Sequence, residues 1–161
     1  GNRNVTRESF NFKGIHKRYN KMNPYLIPAM DTYSINIQLT DIDTPDKIIS
    51  LIAKYFCDNK ILQITYPDIT EAELIEIVKG RTRKREIIEV RFATSYFIMQ
   101  ILNLSLKSIG RFLGERDHST IIHANTAYES DAETNLLYYK RHESLCETLL
   151  TSNKIQRIIR R

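Results

Sequence analysis

GRFLGERDHSTIIHA, residues 110–124, decides how the rest of the chain is read. It has the form of the end of one helix, a tight turn at Gly114–Glu115–Arg116, and a second helix opened by Asp117. An aspartate at that position accepts a hydrogen bond from a backbone N–H that the first helical turn leaves unpaired. The turn it opens carries His118, Ser119 and Thr120, all polar and short. Ile121, Ile122, Ala124 and Tyr128 supply an apolar side, while Ser119, His123 and Thr126 fall near one polar face. Two helices joined by a Gly-containing turn, the second polar at its start, are the sequence form of a helix-turn-helix.

Outward from that stretch, charge is the next informative feature. The 161 residues carry a net charge of +5, unevenly spread. Residues 1–30 hold six Lys/Arg against one acid, 81–91 five against two, and 154–161 four against none. An acidic remainder with three basic segments points to a polyanion partner, with solvated tails as the plain alternative at either end. No apolar run is long enough to span a bilayer and no signal peptide is visible, so no membrane partner is expected and the reading is cytoplasmic. Cys57 and Cys146 are isolated and read as buried thiols in a reducing compartment; no metal site or cofactor is expected. His16 and His142 have no ligand-like neighbours in sequence.

The chain before residue 44 is basic and polar, broken by Asn23-Pro24 and Ile27-Pro28. Ser34–Leu39 alternates polar and apolar, the pattern of a short strand or an extended arm. Thr44-Pro45-Asp46 predicts a helix start, with apolar spacing continuing to about Cys57. Residues 58–69 read as a loop with Ile61, Leu62 and Ile64 tucked inward. Thr70-Glu71-Ala72-Glu73 is a capping box for a helix ending near Gly80. After the basic run Arg81–Arg85, residues from about Ile87 to Leu102 are apolar nearly all round, which predicts a central buried helix closed by Asn103. Ser105 caps the next helix, in which Gly110 points to a close helix–helix approach. A last helix is expected over roughly Asp131–Leu150, with Tyr138 and Tyr139 in the core, and a fraying basic tail. The fold class is therefore mainly α: a multi-helix domain at 44–150, a basic arm with at most one short strand at 1–43, and a basic tail at 151–161.

Arg83 through Ala124 resembles the C-terminal DNA-binding domain of the bacterial replication initiator DnaA family. The resemblance is carried by Asn103-x-Ser105-Leu106-x-x-Ile109-Gly110 and by Gly114-x-Arg116-Asp117-His118-Ser119-Thr120-Ile121-x-His123-Ala124. It extends more weakly back through the helix at 46–57. The resemblance implies that Asp117, His118, Ser119 and Thr120 enter the major groove of duplex DNA. The side chains agree with that role, since a carboxylate accepts from cytosine N4 and hydroxyl or methyl groups meet thymine. It further implies that Arg83 reaches into the adjacent minor groove and that Arg91 contacts phosphate. Four positions depart from the family pattern: Phe92 stands for a polar residue, Lys107 for proline, Glu115 for glycine, and Glu86 with Glu89 dilutes the basic segment. Lys107 adds a possible phosphate contact, and Arg116 joins the DNA-facing set. His123 is left open between buried, phosphate-facing and solvated.

No G-x-x-x-x-G-K-[ST] phosphate loop occurs, so no nucleotide is expected as a partner. Asp117, His118 and Ser119 are the letters of a hydrolytic triad, but three consecutive residues at a helix start cannot adopt its geometry. The expected function is thus non-enzymatic, sequence-selective binding of double-stranded DNA, in replication initiation or regulation. The alternative keeps the fold as a protein–protein adaptor, with residues 1–43 as the docking segment. An exposed apolar patch would favour the adaptor; basic residues sharing the face of His118 would favour DNA.

Overall fold

The computed structural model describes residues 33–35 and 42–159, with side chains as far as residue 150. Among them six helices follow in order: α1 (Pro45–Asp58), α2 (Glu71–Lys79), α3 (Arg85–Leu102), α4 (Leu106–Phe112), α5 (His118–Thr134) and α6 (Leu136–Ile159). Most starts are set by one short side chain satisfying an orphan amide. Thr44 accepts from the Lys47 amide at 3.2 Å, and Ser105 from the Ser108 amide at 3.1 Å. Thr70 accepts from the Glu73 amide at 3.1 Å and donates its hydroxyl to the Glu73 carboxylate at 2.9 Å. α3 starts at Arg85 without a side-chain cap and ends at Asn103, whose φ of 52° turns the chain out of the helix.

α3 is the axis of the domain. It packs against all five other helices, most extensively α5 and α1, and Ile87, Val90, Ala93, Phe97 and Ile98 are fully buried. That accounts for its apolar residues on every side. Phe56, Leu74, Ile109, Ile121, Tyr128 and Leu149 bring the other helices onto it. A polar knot fastens α6 to the same axis. The Glu89 carboxylate accepts from Arg141 at 3.0 and 2.7 Å and lies 2.8 Å from Nε2 of the fully buried His142. The other ring nitrogen of His142 is 2.9 Å from the Tyr128 hydroxyl, which in turn meets Cys146 at 3.3 Å. Tyr138 stacks on the imidazole with centroids 4.5 Å apart. Burial opposes ionisation of Glu89, yet the hydrogen bonds from His142 and Arg141 outweigh it and hold its carboxyl at about 2.

Several expectations meet the structure at particular residues. Of the stretch read as a short strand or extended arm, Ser34 and Ile35 are irregular and Asn36–Leu39 lie outside the described residues, as does the chain before residue 33. The Ser34 backbone is satisfied by a side chain instead of a neighbouring strand: Asn59 accepts its N–H at 2.9 Å and donates to its carbonyl at 2.8 Å. In the loop, Leu62 is buried and Ile61 packs on the core, but Ile64 is fully exposed, because successive turns carry the chain away after Leu62. The α5–α6 boundary falls at Asn135 and not before Asp131: Ala132 is buried in α5, and Asn135 caps α6 by accepting from the Tyr138 amide at 3.1 Å. α6 runs to Ile159, beyond the helix end expected near Leu150. Cys146 is buried as expected, whereas Cys57 is only half-buried.

Candidate nucleic-acid interface

The turn between α4 and α5 is built on two glycines. At Gly110 a Cβ would collide with the Arg116 carbonyl oxygen, so the close approach is to the turn's own backbone and not to another helix. The Gly110 carbonyl accepts from the Arg116 amide at 2.8 Å. Gly114 has φ 92°, and a Cβ there would strike the carbonyl of Lys79 at the end of α2. Glu115 follows at φ 59°, a left-handed conformation that glycine adopts without strain. The turn is therefore wedged between α4 and the end of α2.

Two arginines stitch the basic loop 80–84 to that wedge, and a third ties the loop to α3. Arg81 donates to the Gly114 carbonyl at 2.6 Å. Arg116 donates to the carbonyls of Leu113 and Gly80, one on each side of the junction. Arg91 donates to Val78 at 2.8 Å, to Thr82 at 3.2 Å and to Gly80 at 3.4 Å. Burial, with the positive charges of Arg116 and Arg81 adding to it, lowers the Arg91 guanidinium to about 10. Burial and then Arg81 lower Arg116 as well. Arg81 was read only as part of a charge run, and nothing local announces these bonds, since donor and acceptor lie up to 36 residues apart.

Arg91, which the resemblance implies contacts phosphate, is turned toward the interior. It is the seventh residue of α3 and only 7% exposed, its guanidinium turned inward onto the carbonyls of Val78, Gly80 and Thr82. Arg116 is half-buried by the same kind of bonding. Arg83 and Lys107 are exposed, on the stitched loop and in the first turn of α4.

Asp117, His118, Ser119 and Thr120 are all exposed at the head of α5. One oxygen of Asp117 accepts from the Thr120 amide at 2.9 Å, the Ser119 hydroxyl at 2.7 Å and the Thr120 hydroxyl at 3.0 Å. The Ser119 hydroxyl, followed by the Thr120 amide and hydroxyl, holds the Asp117 carboxyl at about 2. An ionised carboxylate only accepts, so the partners open to it are donors such as cytosine N4 or adenine N6. His123 is exposed, its ring edge-on to Phe92 with centroids 5.8 Å apart. Ile121, Ala124 and Tyr128 are buried as the apolar side of α5, but Ile122, expected with them, is 47% exposed.

Among the described residues no group of His, Cys, Asp and Glu could hold a metal ion, and no helix is long and apolar enough to cross a membrane.

A helix-turn-helix with a polar, outward-facing second helix and a basic loop tied to its turn defines the class of domain. The family model described as the bacterial DnaA protein helix-turn-helix matches residues 45–127, and the chain belongs to that family. Over 117 residues it is 30% identical to the chromosomal replication initiator protein DnaA of Chlorobaculum tepidum, covering 68% of this chain and 23% of that protein. The same protein of Bacteroides fragilis is 26% identical over 112 residues, 70% of this chain and 20% of the relative. That of Flavobacterium psychrophilum is 30% identical over 66 residues, 41% of this chain and 14% of the relative. The chain thus spans less than a quarter of the length of these relatives. No solved structure matches it. The family match stops before α6, so the knot joins Glu89 inside the matched region to Arg141 and His142 beyond it.

Proposed function

We propose that this chain binds double-stranded DNA with sequence selectivity and without catalysis, in replication initiation or its regulation in the bacterial cytoplasm. The observation that carries the reading is the fastening of loop 80–84 to the turn that launches α5. That fastening supports a surface shared by the exposed Arg83 and the exposed head of α5. In this reading Asp117, His118, Ser119 and Thr120 meet base edges in the major groove. Arg83 reaches the neighbouring minor groove, and Lys107, Arg116 and His123 lie toward phosphate. Arg91 acts indirectly, by holding the loop in place. Residues 44–150 form the binding domain, and the basic segments at 1–43 and 151–161 add electrostatic attraction.

Two features favour this reading over an adaptor. Among the described residues the exposed large apolar side chains, Ile64, Ile122 and Leu137, lie in three different parts of the fold. The exposed head of α5 is polar throughout. Titration of a labelled duplex at several salt concentrations tests the proposal: each phosphate neutralised adds about −0.9 to the slope of log K against log salt. Tight binding indifferent to salt, or no binding at all, would overturn it.

A further inference from the structure

Ile122 is the one large apolar side chain left exposed on α5, at 47%, while Ile121 and Tyr128 on the same helix are 1% and 0% exposed. It stands one turn beyond His118 and Ser119 and one turn before Thr126, all exposed. No core contact rewards it, and a β-branched residue slightly weakens a helix. The head of α5 therefore presents hydroxyls, an imidazole and a carboxylate, followed one turn later by a single patch of hydrocarbon. In the major groove only one base carries hydrocarbon at its edge, thymine with its C5-methyl group.

We infer that Ile122 is a specificity-determining residue that reads a thymine methyl, an inference that rests on the DNA-binding reading above. Ile122 lies four residues along α5 from His118, about 6 Å of helix rise, so its thymine falls within about two base-pair steps of the base His118 meets. The contact discriminates by removing a methyl group from water. That corresponds to a roughly fourfold preference, or about 0.8 kcal/mol at 1.36 kcal/mol per decade. Ile122 has no hydrogen bond to offer, so it selects thymine over cytosine and over any base presenting only polar atoms at that edge.

The test uses the full chain and a preferred duplex selected from a random pool. Each thymine in turn is replaced by deoxyuridine, which removes the methyl group and keeps every hydrogen-bonding atom. Affinities are measured for the wild type and for Ile122→Ala, an exposed position where the fold is not at stake. The expected result is one thymine whose replacement weakens the wild type about fourfold and leaves Ile122→Ala unaffected. A wild type that binds tightly yet ignores every replacement overturns the inference and leaves the DNA-binding reading standing. Equal sensitivity in both proteins also overturns it, since another residue would then be the reader. A wild type that binds no duplex overturns the parent reading and this one together.

Discussion

Two carboxylates, Glu89 on α3 and Asp117 at the head of α5, are both held at about 2, by opposite means. Glu89 is buried between helices, where Arg141 and His142 more than repay its lost hydration. Asp117 is exposed and draws its stabilisation from a hydroxyl, an amide and a second hydroxyl within three residues of itself. The first charge is used up inside the molecule, and its removal affects the fold. The second is organised but still faces solvent, where an incoming donor can reach it. A depressed acid is thus no marker of function until its partners and exposure are known.

The largest effect should come from breaking the buried partner. Glu89→Gln leaves Arg141 and His142 facing a neutral group, and about 3 kcal/mol of stability should be lost in urea unfolding. Duplex affinity of the folded molecules should be unchanged; a fall in affinity without a fall in stability would contradict the division. Acid sharpens the same contrast. The Glu89 carboxyl lies below its ordinary 4.5, so its contribution is complete above that pH and drains away as pH falls toward 2. Unfolding between pH 6 and 2 should show a loss on the order of 2–3 kcal/mol, much reduced in Glu89→Gln.

Arg91→Ala should destabilise by about 1–3 kcal/mol, because carbonyls of the α2–α3 connection lose their donor. Faster amide exchange across residues 80–84 would accompany it; a loss of affinity with stability and exchange intact would instead make Arg91 a direct phosphate contact. The smallest effect is at the turn. Glu115→Gly should relieve the left-handed strain and raise stability by at most about 1 kcal/mol in thermal unfolding, the entropy of glycine in the unfolded chain offsetting part of the gain. A marked loss would show that Glu115 makes a contact of its own.

The helices were legible because their signals are local. Thr44-Pro45, Thr70-x-x-Glu73, Ser105 and Asp117 each fix a start within one turn, and α3 declares its burial by being apolar on every side. The α5–α6 boundary was missed because Ala132 continues the apolar spacing of α5, and the break is a single residue, the N-cap Asn135, with no Gly or Pro beside it. Ile122 was grouped with Ile121 on residue type, although its spacing of three from Ser119 and four from Thr126 already set it on the exposed polar face. The exposed set at the head of α5 followed from the Asp117 cap and the short polar residues after it. The inward turn of Arg91 and the partners of Glu89 did not, because the first depends on how the loop before α3 folds back and the second on residues some 52 positions away.

The central claim is that the head of α5 reads bases. Asp117→Asn tests it most directly, because asparagine keeps the capping acceptor and replaces the ionised carboxylate by an amide that can also donate. Wild type and variant should be carried in parallel through selection from a random duplex pool, with circular dichroism confirming the same fold. The account predicts a roughly 5- to 150-fold weaker hold on the wild-type site, with preference lost at one or two positions and the salt slope retained. Identical selected sites and affinities for the two proteins would contradict it.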